Sequence, residues 1–509
     1  MPADAAPAAP PLRFPLDRPL LWLLLLALGH VAVRVAISPA LKWDEAEQML
    51  WSQHLAAGYG GQPPLYTWLQ WAVNAIVGPS VLALSVLKHA LLALTYVLMW
   101  GAARELLAVR GAWWAAASMM LMPALGWFSI RDQTHTVLVT AMSGGAWWLL
   151  LRLVRAPRPR DFALLGLVCA LGLLSKYSFA LVALAMLTAA LSVGVARRAL
   201  LAPGWWWAPV VGVLVVLPHA LWLVGQWQGV AADTVSDMDI DAQRGWAQGL
   251  LELARSVGGT LAPWALLVLA VFGRAAWRGP TTPVAPWAQR VFVRYLALIA
   301  LALLLMVLLG GVTAFKGRWV LPMVCMVPLA AFATRPQLQE HPRARRYTLA
   351  VTGIALALLV AGGVRPWFGS RQGTPDALAS PIVALAAALR QAGYDGHSPI
   401  IASDHITGGT LRTRFPHAPV RACAVTDGMP VADCVAAAVQ QAKAAGQGWL
   451  LIGCEENCEG SAGWWALASA RLPALPSRAV ELPYGMGRAD ASARYRFHWQ
   501  APAAPKPSS

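Results

Sequence analysis

The sequence predicts a polytopic α-helical membrane protein carrying a small C-terminal α/β domain outside the membrane. Three observations predict it. Of the 509 residues, 58% are hydrophobic and only 13% are charged, where a water-soluble domain carries nearer a quarter charged. Apolar runs recur at bilayer length along residues 20–364. Beyond residue 364 the hydropathy drops and short alternating segments replace them.

About eleven spans follow from the apolar runs, near 20–37, 80–100, 112–129, 134–151, 162–175, 177–195, 205–225, 251–273, 295–312, 319–334 and 347–364. Helices are expected, because an open sheet cannot satisfy its backbone groups in lipid. The first run lacks a small-residue cleavage site and is expected to be retained. Trp and Tyr gather at many of the proposed ends, as residues of the membrane interface do.

The net charge of +16 invites a nucleic-acid reading until it is placed on this map. With the N-terminus on one side, that side collects eighteen cations, from Arg13 to Arg346, against five acids, while the other side before residue 365 is balanced. The positive-inside rule then puts the N-terminus in the cytoplasm. The charge is a signature of topology, and nucleic acid is set aside as a partner. An odd number of spans places residues 365–509 on the outer, periplasmic side of a bacterial inner membrane. The expected division is a tail at 1–19, a transmembrane module at 20–364 with its first external loop at 38–79, and the domain at 365–509.

In that last region, Pro399–Ala402 and Gly448–Ile452 read as buried strands and Val431–Ala445 as a helix. Cys423, Cys434, Cys454 and Cys458 all fall here, where disulfides persist. Their pairing is open, and disulfide is favoured over metal because no histidine or second close pair accompanies Cys454 and Cys458.

The first external loop is the richest in chemistry. Asp44, Glu45 and Glu47 follow the first span directly, then Trp51-Ser52-Gln53-His54, Gly58-Tyr59, Gln62-Pro63-Pro64 and an aromatic Tyr66-Thr67-Trp68 run. Such a segment lies in the interface plane rather than crossing it. A carboxylate held there can take a proton from a hydroxyl or hold a metal ion, or the acids can simply favour the first turn of a helix. Cations sit at the same ends of other spans: Arg34, Lys88, Arg131, Lys176, Lys316 and Arg318. Charge at that depth faces a wet cavity or an anionic partner, or reaches back to the interface. Several cations beside acids make a phosphate site the more economical account. Asp237, Asp239 and Asp241 form an acidic run that reads as solvated loop before metal site. His219 reads first as a hydrogen-bonded bundle histidine. Asp404-His405 has no Gly-x-Ser-x-Gly beside it to support a hydrolase.

The loop Asp44-Glu45-Ala46-Glu47…Trp51-Ser52-Gln53-His54-Leu55…Gly58-Tyr59…Gln62-Pro63-Pro64-Leu65 resembles the first periplasmic loop of bacterial GT-C glycosyltransferases. The branch is family 39, which is related to protein O-mannosyltransferases and lipid A aminoarabinose transferases. Gly172–Tyr177 is similar to that family's lysine motif, Leu217–Trp222 to its Pro-His…Trp span, and Lys316–Pro322 to its basic turn. The likeness runs in order over roughly residues 20–330.

The resemblance implies an inverting transfer from a polyprenyl-phosphate sugar to a glycan, glycolipid or protein acceptor. Asp44 would activate the acceptor, supported by Glu45 or Glu47, with Asp132 as a second carboxylate. Lys176 and Arg318, then Arg131 and Arg34, would hold the donor phosphate. His54, Tyr59, Gln62 and His219 would contact substrate. No cofactor is fixed by the resemblance, and a divalent cation stays open because relatives divide on it. One departure stands out: many relatives carry Asp-His before the paired prolines, where this chain has Gly61-Gln62. A transporter or lipid-carrier flippase is the alternative, since many spans with buried charges also describe carriers; no repeat between the halves supports it.

Overall fold

The computed structural model describes residues 18–237, 245–278, 283–369, 376–425, 429–456, 463–473, 475–486 and 491–502. Each of the eleven apolar runs is helical, but they are not eleven continuous spans. Among the described residues, eight helices are long and apolar enough to cross a membrane, or nine if one bent pair counts as a span. That pair, Phe179–Leu191 and Gly194–Leu200, turns by 112°. The run expected at 112–129 breaks into α-, 3-10 and π-helical pieces between Val109 and Arg131. A Pro at 123 and the close approach of Gly126 to the Met120 carbonyl mark the break. The run at 162–175 is a helix of 17 residues, Pro159–Ser175.

The first helix, α1 (Pro19–Ile37), leads into the loop, which folds as α2 (Trp43–Trp51) and α3 (Leu65–Val77) before α4 (Val81–Arg104) re-enters the bundle. The helix His135–Arg155 lies at the centre, buried along most of its length and packed on α4 and on Pro159–Ser175. Large aromatic side chains fill this core: Trp147 stands edge-on to Tyr295 at 4.9 Å, and Trp114 contacts Phe272, Phe332 and Tyr347.

Residues 376–502 build a five-stranded sheet with neighbouring helices. Strands β1 (Ile400–Ala402), β2 (Val420–Ala422), β3 (Trp449–Glu456), β4 (Arg478–Pro483) and β5 (Ser492–Gln500) lie in the order β2-β1-β3-β5-β4. The first three are parallel and the last two antiparallel. The parallel strands are joined by helices and read as unbroken apolar runs, Ile400-Ile401-Ala402 and Trp449-Leu450-Leu451-Ile452, because both their faces are covered. Cys423 and Cys434 form a disulfide; Cys458 lies outside the described residues, as do Asp239 and Asp241.

This unit is not a tethered appendage. Its helix His405–Arg414 lies against α2, and Gly409 faces the Ala46 backbone so closely that a Cβ would stand 2.4 Å from the Ala46 carbonyl oxygen. Leu50 and Ala40 from the loop belong to the apolar core of the sheet unit. The Gln53 side chain completes the docking: its amide donates to Val420 O at 2.8 Å and accepts from Val420 N at 2.9 Å, mimicking one more strand on the free edge of β2.

Candidate functional site

The residues expected to carry chemistry meet at the end of the bundle where α2 is wedged between the helices and the sheet unit. Glu45 fixes the start of α2: the Lys42 backbone amide donates to its carboxylate at 3.2 Å, the half of a capping box that a lysine N-cap permits. That register sends Asp44 and Glu45 in different directions.

Glu45 points inward. Both its oxygens are taken, by the Arg34 guanidinium at 3.1 and 2.6 Å and by Lys88 Nζ at 2.9 Å, and all three side chains are buried. Burial alone would raise the Glu45 pKa; the two cations outweigh it and hold the group well below the usual carboxylate range. Arg34 also donates to the carbonyls of Ser38 and Ala40. The triad locks α2 to α1 and α4, and leaves neither Glu45 nor Arg34 with an obvious bond to offer a substrate.

Asp44 points toward the broken span. Its carboxylate accepts from the Thr134 amide at 3.3 Å, and its own amide donates to Asp132 Oδ1 at 3.1 Å. Asp44 stays partly exposed. Burial, then repulsion from Asp132, pushes its pKa up to about 6, against the opposing pull of Arg318, Lys88 and the Thr134 amide. A carboxylate poised there is a base at neutral pH that still binds a proton readily. Asp44 and Asp132 together can also face a divalent cation, though no group of three or more metal-ligating side chains occurs among the described residues.

Lys176 follows Pro159–Ser175, where the chain turns extended, and its Nζ lies 3.5 Å from Thr136 Oγ1. Beside it, buried His135 receives Gln48 Nε2 at 3.1 Å and contacts the Ser175 carbonyl at 3.2 Å; Gln48 in turn accepts from Thr67. Sequence reasoning missed His135, Gln48 and Thr136 as neighbours of Lys176; only the α2 face bearing Gln48 one turn after Asp44 hinted at them. Arg318 opens the helix Gly317–Val324 and acts electrostatically on Asp44 without a direct ion pair to it among the described residues.

The four expected substrate contacts are placed differently. Tyr59 is buried, its hydroxyl donating to His54 O and accepting from the Ala56 amide, and it pairs with Gln62 across a tight turn. His54 is exposed. His219 is buried, bonded to Ala57 O at 2.6 Å and 3.3 Å from the Tyr177 hydroxyl. Gly58 packs so tightly on Trp222 that a Cβ would stand 2.2 Å from the indole. Tyr59 therefore braces the loop internally, while His219 and Trp222 hold it against the helix Trp207–Asp237. Glu47, one turn after Asp44 on α2, is half-buried. Arg131 lies over the Trp127 ring, 5.4 Å from its centroid. Asp404, by contrast, caps its helix, accepting from the Thr407 amide, and its other oxygen accepts from the Ser403 hydroxyl at 2.6 Å.

Residues 61–222 match the family model described as dolichyl-phosphate-mannose-protein mannosyltransferase. The lipopolysaccharide core galacturonosyltransferase RgtA of Rhizobium johnstonii is 31% identical over 404 residues, 77% of this chain and 79% of the relative. RgtB of the same organism, likewise named a lipopolysaccharide core galacturonosyltransferase, is 28% identical over 484 residues, 92% of this chain and 94% of the relative. Among solved structures, ArnT from Cupriavidus metallidurans bound to undecaprenyl phosphate shares the fold. Its TM-score is 0.61 at 13% identity, covering 97% of this chain and 100% of that one.

Proposed function

Because the chain belongs to the GT-C family of membrane glycosyltransferases, together with the lipopolysaccharide core galacturonosyltransferases, we propose that it moves a sugar from a polyprenyl-phosphate donor onto a lipopolysaccharide core acceptor. The reaction takes place at the periplasmic face, where the sheet unit and the loop lie. The relatives' names make a galacturonosyl donor the first to test.

The observation that carries the reading is Asp44 bonded to Asp132 through its amide and to the Thr134 amide through its carboxylate, with Arg318 acting on the pair and Lys176 at Thr136, two residues beyond Thr134. An acceptor hydroxyl attacks the anomeric carbon, a new C–O bond forms, and the bond from that carbon to the phosphate oxygen breaks with its electron pair leaving on the polyprenyl phosphate. Asp44 takes the hydroxyl proton, and single displacement inverts the anomeric centre. Asp132 positions Asp44 through its amide and keeps its basicity high. Lys176 and Arg318 stabilise the negative charge growing on the departing phosphate, the largest single contribution such a site makes. Glu45 and Arg34 hold α2 in place, and the carrier alternative is set aside because the chain is a transferase.

The test is transfer of labelled sugar from polyprenyl-phosphate galacturonate to core lipopolysaccharide in nanodiscs. The wild type is expected to transfer; Asp44→Asn and Lys176→Ala are expected to fail while staying folded.

A further inference from the structure

Three consecutive residues at the start of the helix His135–Arg155 each reach a different part of the site. The Thr134 amide donates to the Asp44 carboxylate at 3.3 Å, the His135 ring meets both Gln48 and Ser175, and Thr136 Oγ1 lies 3.5 Å from Lys176 Nζ. Successive residues around a helix point about 100° apart, so one turn addresses several neighbours at once. The base and the phosphate cation are therefore both referenced to one turn of the central helix.

His135 sits in the middle of this turn, and its bonds have fixed roles. Ser175 ends the helix Pro159–Ser175, where carbonyls lack an intrahelical donor. His135 Nδ1 is 3.2 Å from that carbonyl, which only accepts, so Nδ1 carries the hydrogen and Nε2 keeps a lone pair. Nε2 then accepts from the Gln48 amide nitrogen at 3.1 Å, and Gln48 Oε1 accepts from the Thr67 hydroxyl at 2.9 Å. Thr67 on α3, Gln48 on α2, His135 and the carbonyl just before Lys176 thus form one chain. All four residues are buried, so a broken link strands a polar atom, which costs more than the bond itself contributes. The Tyr66 and Trp51 rings stand 5.5 and 6.5 Å from the imidazole. With both nitrogens committed to protein groups, His135 has no bond to give a substrate.

We infer that His135 is a positioning residue for the transfer: through Gln48 it places α2 and Asp44, and through the Ser175 carbonyl it places Lys176. Gln48 lies one turn after Asp44 on the same face of α2, and Ser175 precedes Lys176 in the chain. The imidazole thereby keeps the base and the phosphate ligand at one separation. The inference rests on the reading above, in which Asp44 is the base and Lys176 holds the donor phosphate. The joint needs a donor and an acceptor on one rigid ring. Asn reproduces the reach of Nδ1 alone and Gln that of Nε2 alone, so the two links can be cut one at a time.

Two measurements on the full chain test this together: undecaprenyl phosphate binding by native mass spectrometry in detergent, and steady-state transfer in nanodiscs. His135→Gln keeps the acceptor for Gln48 and cuts the link to Ser175. It is expected to weaken undecaprenyl phosphate binding and raise the donor KM about three- to tenfold, roughly the worth of one hydrogen bond. His135→Asn keeps the link to Ser175 and cuts the one to Gln48, and is expected to lower kcat by a similar factor while that binding holds. Gln48→Met, outside the central helix, should repeat the His135→Asn pattern at an unchanged melting temperature, and it carries the test if the His135 variants do not fold. Loss of fold alone cannot produce opposite splits from two substitutions of one residue. In a Lys176→Ala background, His135→Gln should weaken binding no further, because the lysine it places is gone. Binding untouched by Lys176→Ala would overturn the donor reading and the inference with it. Binding weakened by Lys176→Ala but not by His135→Gln, the same split for both His135 variants, full kcat in Gln48→Met, or additive losses in the double variant would overturn the assignment of His135 alone.

Discussion

The Asp44 amide donates to Asp132 Oδ1 at 3.1 Å while the Asp44 carboxylate accepts from the Thr134 amide two residues beyond Asp132. Two segments 88 residues apart are thereby clasped across one carboxylate pair. The clasp accounts for where that run ends: the chain leaves its helix after Arg131, and Asp132 and Thr134 face α2.

Replacing Asp44 by Asn keeps the size and the hydrogen bond from Thr134 but removes the base. Transfer is expected to fall about 10²–10⁴-fold, the usual contribution of a positioned base, with an unchanged unfolding temperature. Steady-state rates on the purified variant, beside a melting curve, check both halves.

The pH dependence follows from the same pair. Asp44 acts as a base only when ionised, and its pKa is pushed up to about 6, so kcat/KM should fall as pH drops through that value. Asp132→Asn removes a repulsion that raises the pKa, and the acid limb should move about one unit toward lower pH. A limb that stays put in this variant would mean that another group titrates.

Glu45→Gln is expected to act through folding. It leaves Arg34 and Lys88 buried without their shared carboxylate, which costs about 3–5 kcal/mol. Thermal unfolding in detergent should show a marked loss of stability. Adding Lys88→Met, which removes one stranded charge, should recover part of it.

How far the sequence reveals this arrangement depends on how local the cause is. Hydrophobic run length located the helical runs of the bundle between residues 20 and 364, because burial in lipid acts residue by residue along the chain, but not the helices Ile382–Gln391 and His405–Arg414 of the sheet unit. The breaks at 109–131 and near residue 193 escaped, because tertiary contacts impose them. The strands at 400–402 and 449–456 were legible from their apolar runs. The Arg34–Glu45–Lys88 triad was not: its members lie 11 and 43 residues apart, and the same charges read equally well as phosphate ligands. Gln53 bonding Val420 across 367 residues leaves no trace in local sequence. His135 was hidden inside an apolar run whose hydropathy says nothing of its partner Gln48.

The sheet unit should matter to catalysis through α2. Gly409 lies against the Ala46 backbone with no room for a side chain, so Gly409→Val should cost about 1–3 kcal/mol as overpacking. Because α2 carries Asp44, it should also lower kcat more than it raises KM. Kinetics paired with unfolding curves measure both, and Gln53→Ala at the edge of β2 should act in the same direction.

The central claim is that Asp44 activates an acceptor for sugar transfer from a polyprenyl phosphate. Its most direct test uses purified protein in nanodiscs with radiolabelled polyprenyl-phosphate galacturonate and core lipopolysaccharide, in parallel with Asp44→Asn. Label on the lipopolysaccharide with the wild type and none with the variant is the predicted result. Equal labelling by the two proteins, or no labelling by the wild type with this or any other polyprenyl-phosphate sugar, would contradict it.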